Sequence, residues 1–275
     1  MPSLPEMTAQ WQHLNWQPTP EQTAQFQHLY NLVLQGNQQL NLTRITEPEE
    51  FWEKHLWDSL RGIAQFLQPE ASKDELDLSP SLGSSTSSDF GVSAQLIAQE
   101  SPSPRSPFRA IDIGTGAGFP GIPIAIVQPT WRMTLLDSTR KKMQFLDGLL
   151  ETLGLENART LIDRVESIGQ YPRHRQKYDL ALVRAVASAT VAAEYALPLL
   201  KVGGLAVLYR GQWTAEEGEA LNWAVQQLGG TIAEIEAFKT PLTQAERHCL
   251  YLRKVAPTPA EYPRAIGVPT QSPLA

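Results

Sequence analysis

The sequence is poor in cysteine, in basic charge and in long apolar runs. Cys249 is the one cysteine among 275 residues, so no internal disulfide framework is available, and a lone thiol suits a reducing compartment. No stretch approaches the roughly 20 apolar residues of a membrane span. The opening residues, MPSLPEMTAQWQHLNWQP, have neither the basic start nor the apolar core of a secretory signal. A cytoplasmic protein with no membrane contact is expected. His13, His28, His55, His174 and His248 form no ligand-spaced group, so no metal is expected. The net charge of -6 runs against the basic footprint of a nucleic-acid binder. Charge is local, however: Arg140-Lys141-Lys142 and Arg173-His174-Arg175-Gln176-Lys177 are compact basic clusters, with solvated surface as their plainer reading.

The length suits one domain with additions. Thr19-Pro20-Glu21-Gln22 reads as a capping box with proline in the first helical position. Phe26, Leu29, Tyr30, Val33 and Leu34 follow at helical spacing, and Gly36-Asn37 is expected to end that helix. A second helix should start at Thr46-Glu47-Pro48-Glu49 and carry Trp52, Leu56, Leu60, Ile63 and Leu67 on one face. Residues 1–68 are thus expected to form an N-terminal helical extension, with the early tryptophans covering the core. Residues 69–107, rich in Ser, Pro and Gly, bury too little to offset the entropy of ordering and read as a flexible insert.

From residue 108 the pattern becomes regular. Strands are expected at 108–113, 133–137, 158–162, 178–183 and 205–209, with helices at 123–128, 139–153, 187–200 and 215–228. Two late strands, 232–237 and 249–254, have no full helix between them. Alternating strands and helices imply right-handed crossovers and a doubly wound α/β domain over 108–255, its sheet mostly parallel with one antiparallel strand near an edge. The Pro-rich residues 256–275 read as an extended tail.

The strongest local signal is Asp112-Ile113-Gly114-Thr115-Gly116-Ala117-Gly118-Phe119-Pro120-Gly121, which follows a strand and opens a helix. Such a turn exposes backbone to a ligand beyond the strand ends. Asp137 ends the next strand, 25 residues after Asp112, where an acid can accept the ribose hydroxyls of an adenosine. The stretch from Gly116 to Gly121 also spells G-x-G-x-x-G, which alone would support an NAD or FAD site. Pro120 and Pro123 weigh against that reading, because they remove amide donors where a pyrophosphate would bind. A methionine-bearing nucleoside has no phosphate and does not need them.

Several further motifs fall in a recognisable order around this loop. Asn41-Leu42-Thr43 with Ile45, then His55 with Asp58-Ser59-Leu60, precede it. Asp137-Ser138-Thr139, Arg164-Val165-Glu166, Tyr178-Asp179, Arg184-Ala185 and Glu246-Arg247-His248 follow it. This series resembles the RsmG (GidB) family of bacterial small-subunit rRNA guanine-N7 methyltransferases, and the tail resembles that of its cyanobacterial members. The resemblance implies a class I, Rossmann-like methyltransferase using S-adenosyl-L-methionine on 16S rRNA or the small ribosomal subunit. It places Gly114, Gly116 and Phe119 at the cofactor pocket and Asp137, Ser138 and Thr139 at the ribose. It puts Val165 and Glu166 beside the adenine, and Arg184 near the sulfonium or its substrate. Plainer roles stand beside these: core packing for Phe119, capping for Asp137, surface charge for Glu166 and an ion pair for Arg184. His55, Asp58 and Ser59 read first as a hydrogen-bonded cluster docking the extension.

Chemistry narrows the acceptor. Exocyclic amine methylation usually calls for an Asn/Asp-Pro-Pro-aromatic loop after the fourth strand, whereas this chain has Val183-Arg184-Ala185-Val186. Pyrimidine-carbon methylation usually needs a cysteine nucleophile, and Cys249 falls in a late strand. Guanine N7 carries a free lone pair, so transfer can run on alignment and charge stabilisation, and no catalytic residue is singled out. Arg184 could bond guanine O6, and Arg140, Lys141, Lys142 and Arg210 could contact phosphates. A methyltransferase of a small molecule or protein, an NAD-dependent dehydrogenase and a non-catalytic nucleoside-binding module remain as alternatives.

Overall fold

The computed structural model describes residues 2–67 and 107–274, so the insert expected over 69–107 lies almost wholly outside the described residues. Among the described residues seven strands form one sheet: β1 (Arg109–Ile113), β2 (Arg132–Asp137), β3 (Ala158–Ile162), β4 (Tyr178–Arg184), β5 (Leu200–Arg210), β6 (Gly230–Lys239) and β7 (Glu246–Lys254). Their order is β3-β2-β1-β4-β5-β7-β6. Neighbours pair in parallel except β7, which runs antiparallel to both β5 and β6. Leu180, Ala181, Leu182 and Val183 of β4 are all buried, the unbroken apolar run of a strand covered on both faces.

The helices are α1 (Thr8–Trp11), α2 (Pro20–Leu40), α3 (Pro48–Phe51), α4 (Asp58–Arg61), α5 (Gly121–Val127), α6 (Arg140–Leu153), α7 (Val165–Gln170), α8 (Ala189–Ala196), α9 (Ala215–Gln227) and α10 (Val268–Gln271). A wide π-turn over Trp52–Trp57 joins α3 to α4. The Thr19 capping box forms, but α2 runs through Gly36 to Leu40 and ends on Asn41 in the left-handed region. Gly36 is a packing residue: a Cβ there would lie 2.2 Å from the Phe145 ring of α6, so its absence lets the two helices approach. The helix expected over 187–200 stops at Ala196, because Pro198 and a short 3-10 turn lead straight into β5. The six-residue α7 was not legible, being too short to show a periodic face.

The extension and the sheet share one core. Trp11, Phe26, Tyr30, Trp52 and Trp57 pack in a continuous buried cluster with Ile122, Leu135, Leu180 and Tyr251, so these tryptophans do cover the sheet. The opposite face is covered by α8 and α9, with Val191, Leu197 and Leu221 against Ala181 and Leu208. Residues 256–274 are anchored there too. The Arg175 guanidinium donates to the carbonyls of Gly169, Thr258, Pro259 and Tyr262, and Arg264 pairs with the fully buried Glu194 at 2.7 Å. No described helix is long and apolar enough to cross a membrane.

Gly62 fixes how closely the extension docks. A Cβ there would stand 2.4 Å from both the Cζ and hydroxyl oxygen of Tyr209 on β5, and that hydroxyl is held by donating to the Ser59 carbonyl at 2.8 Å. Gly62→Ala gains about 1 kcal/mol of backbone propensity against roughly 1–3 kcal/mol or more of overpacking. A net loss of stability is expected in urea denaturation. An unchanged or higher midpoint would show that the extension can move away from β5 at little cost.

Candidate active site

The loop after β1 is shaped by two carboxylates. Asp112, fully buried in β1, accepts the Thr115 hydroxyl at 2.6 Å and the Gly121 amide at 2.8 Å through Oδ2. Its Oδ1 has no partner. A Cβ on Gly121 would come within 2.9 Å of that Oδ2 and 2.3 Å of Leu135, so glycine is required where α5 begins. Asp137, at the end of β2, accepts the Gly116 amide at 3.1 Å and the Thr139 amide at 2.8 Å, one with each oxygen. Gly114 has φ 71°, and a Cβ there would meet Val186 at 2.6 Å. Val186 is placed by Ala185, itself at φ 55°, a conformation uncommon outside glycine.

The remaining loop amides are also engaged. Gly114 and Thr115 donate to the Leu136 carbonyl, Gly118 and Phe119 to that of Thr115, and Ile122 to that of Gly118. Ala117 is left as the one non-proline amide over 114–122 without an acceptor among the described residues. A dinucleotide pyrophosphate needs several free amides at the start of such a helix. This helix start has already committed its donors, and the embedded G-x-G-x-x-G does not make a pyrophosphate cradle.

A cavity of about 360 Å³ opens at the carboxyl ends of β1, β2 and β3, beside the point where strand order reverses from β1 to β4. This is where doubly wound sheets bind ligands. Gly114, Asp137, Ser138 and Val165, expected from the sequence, line it. Gly116 and Thr139 do not line it; each donates its amide to Asp137. Asp163, Arg164, Val186, Tyr195 and Thr270 also line it and were not singled out as site residues. Asp163 follows β3 much as Asp137 closes β2, a signal available in the sequence. Thr270, from α10 in the tail, had none.

Glu166 does not line the cavity. It is buried, with its carboxylate bonded by Arg164 at 2.8 Å, the Tyr195 hydroxyl at 3.3 Å and the Gly267 amide at 3.1 Å. Burial pushes this carboxyl up, but the surrounding donors outweigh it and hold it below the usual range. Burial and the neighbouring Glu166 push Tyr195 up to about 12.

Phe119 and Arg184 meet elsewhere, in the seam between loop and extension. Phe119 is 4% exposed and stacks on His55 at 4.2 Å and 9°. Arg184 donates to the Lys54 carbonyl at 2.7 Å, to Asp58 at 3.2 Å and to His55 Nδ1 at 3.3 Å. Arginine has no acceptor, so His55 Nδ1 must accept and Nε2 must carry the proton, donating to Thr43 Oγ1 at 2.9 Å. Burial, then the Arg184 and Lys54 charges, keeps the ring neutral by lowering its pKa well below 6.5. The His55, Asp58 and Ser59 group therefore docks the extension onto β4. Of the proposed phosphate ligands, Arg140 and Lys141 are exposed at the start of α6, whereas Arg210 is held by Glu217 and the Ala187 carbonyl.

A parallel sheet of this order with an antiparallel β7, and a carboxylate-rimmed cavity with no pyrophosphate cradle, define a class I S-adenosylmethionine-dependent methyltransferase. Over residues 22–78 and 93–250 the chain matches the GidB family, described as rRNA small subunit methyltransferase G, and it belongs to that family. It is 57% identical over 272 residues to the ribosomal RNA small subunit methyltransferase G of Trichormus variabilis, covering 98% of each chain. It is 48% identical over 266 residues to the protein of that name from Gloeobacter violaceus, covering 97% of this chain and 92% of the relative. The family match stops at residue 250, whereas the matches to these relatives cover 97–98% of the chain.

Asp112 predicts a pH signature. Burial raises its pKa from 3.8 to about 6, despite the Thr115 and Gly121 bonds that oppose the shift. A carboxyl with a raised folded-state pKa favours folding in its protonated form. Its contribution is present below about pH 4 and is lost as pH rises through 6, on the order of 3 kcal/mol in all. Asp112→Asn, measured by denaturation without added cofactor, should remove that part of the decline between pH 4 and 6. A variant whose stability falls as steeply as the wild type over this window would place the titration elsewhere.

Proposed function

We propose that this chain transfers a methyl group from S-adenosylmethionine to N7 of a guanine in the 16S rRNA of the small ribosomal subunit. The observation that carries the reading is the cavity at the ends of β1–β3, whose loop offers a backbone hollow and a carboxylate but no set of free phosphate-binding amides. The name borne by its relatives points to the same substrate. When bound, S-adenosylmethionine supplies an electrophilic methyl on a sulfonium.

In this reading Gly114 and Gly116 give the methionine end of the cofactor a surface without side chains. Asp137 takes the ribose hydroxyls, with Ser138 and Thr139 beside it. Val165 packs on the adenine, flanked by Tyr195 and by Thr270 of the tail. Glu166 acts one layer back, tying Arg164 and Gly267 to the same wall. Phe119 and Arg184 set the seam through which the extension frames the acceptor side. N7 needs no proton removed, so alignment carries the transfer. The sole thiol supports the same reading: burial holds Cys249 well above the usual range and out of nucleophilic use.

Labelled S-adenosylmethionine should transfer its label to naked 16S rRNA or to small subunits lacking the modification. The product strand should then break at one guanine under borohydride and aniline, a reaction of N7-methylated guanine. Label at an uncleaved position would overturn the N7 assignment, and no transfer to either substrate by cofactor-bound protein would overturn the rRNA assignment. In calorimetry, Asp137→Ala should weaken cofactor binding about 10- to 100-fold, the worth of hydrogen bonds to a charged group. An unaltered affinity would remove Asp137 from the ribose. NAD should give no heat.

A further inference from the structure

At the opposite end of the sheet, three arginines line one open pocket of about 370 Å³: Arg109 on β1, Arg132 on β2 and Arg159 on β3. Parallel register sets them there, with Arg109 opposite Arg132 and Arg159 opposite Thr134, whose hydroxyl accepts from Arg159 Nε at 3.4 Å. Partners in adjacent parallel strands share a face, so the three guanidiniums project together. Arg132 and Arg159 are exposed, and Arg109 is steadied over the Tyr178 ring at 5.1 Å.

What distinguishes these arginines is that three of them share one pocket and none has an ion pair there among the described residues. Arg61, Arg164, Arg184, Arg210 and Arg264 each hold a carboxylate, while Arg109, Arg132 and Arg159 have none within 4.0 Å among the described residues. Glu156 lines the same pocket without pairing to them, and Asp179 beside β1 is neutralised by Lys201 at 2.7 Å. Burial comes first in depressing the pKa of the neighbouring His174, and Arg173, Arg159 and Arg109 add to it, against Asp163. In a chain of net charge -6, three unpaired arginines gathered on one sheet face make a local cationic row, and crowded like charges are relieved by an incoming anion.

We infer that the pocket formed by Arg109, Arg132 and Arg159 is a second docking site for RNA, which grips backbone phosphates of the substrate away from the methylated base. The inference rests on the rRNA reading above. Three strands at about 4.8 Å spacing make a row roughly 10 Å across, wider than one small anion can neutralise and suited to a polynucleotide backbone. Strands of five or six residues put the row about 17–20 Å from the cofactor cavity, so it meets nucleotides flanking the target. Contacts of this kind position the RNA and carry no sequence information.

The test measures 16S rRNA affinity against salt for the full chain and for Arg132→Ser/Arg159→Ser, two exposed residues outside the candidate active site. Losing two phosphate contacts should lower the slope of log K against log salt by about 1.4–1.8, with a loss of affinity on the order of tenfold. Cofactor affinity and melting temperature should stay at wild-type values, and Arg132→Lys/Arg159→Lys should recover most of the binding. Wild-type slope and affinity in the serine variant would overturn the docking site while leaving the rRNA reading intact. A wild-type chain that binds cofactor but neither naked 16S rRNA nor the small subunit would overturn both. Saturable binding of inorganic pyrophosphate that is lost in the serine variant, with rRNA affinity unchanged, would make this a small-anion site and overturn the proposal.

Discussion

Two carboxylates, one beneath the glycine loop and one at its rim, are the constraint on which the site depends. Asp112 reaches up from β1 to hold Thr115 and the first amide of α5, while Asp137 reaches across from β2 to hold Gly116 and Thr139. Together with the Leu136, Thr115 and Gly118 carbonyls they use the donors that would otherwise face a phosphate, and they leave an open hollow. The cost is a buried acid with one oxygen unpartnered, the kind of local strain that persists where the surroundings over-determine it.

A second group of buried polar residues joins the extension to this loop. Arg184 sits at the end of β4, and its fork is satisfied by the Lys54 carbonyl, Asp58 and His55. The π-turn over Trp52–Trp57 presents that carbonyl and that ring on one side, and His55 closes the seam by stacking on Phe119. Removing either charged partner would leave the other buried and unpaired, which is costly. The extension is thereby locked to the strand end beside which the acceptor must arrive, so its position and that of the loop are set together.

The sheet also separates the chemistry by polarity along its strands. Carboxyl ends carry the cavity and its acids, and amino ends carry the row of Arg109, Arg132 and Arg159. The tail runs from one end to the other: Arg175, just before β4, holds residues 258–262 near the amino ends, and Glu194 and Glu166 then tie down Arg264 and Gly267 and bring Thr270 to the cavity wall.

The sequence by itself determined the alternation of strands and helices, the antiparallel closing strand, the capped start of α2 and the place of the glycine loop. These follow from local periodicity and from residues with few backbone options, which neighbours cannot easily overrule. It also marked Gly114 and Asp137, since strand ends in a doubly wound sheet converge whatever lies elsewhere, and the family resemblance added Ser138 and Val165. Only the tertiary structure decided that Gly36 is a helix contact and not a stop, that Glu166 faces inward, that Phe119 and Arg184 meet His55, and that Thr270 reaches the cavity. Each of these depends on which distant surface arrives against the residue, and no spacing along the chain encodes that.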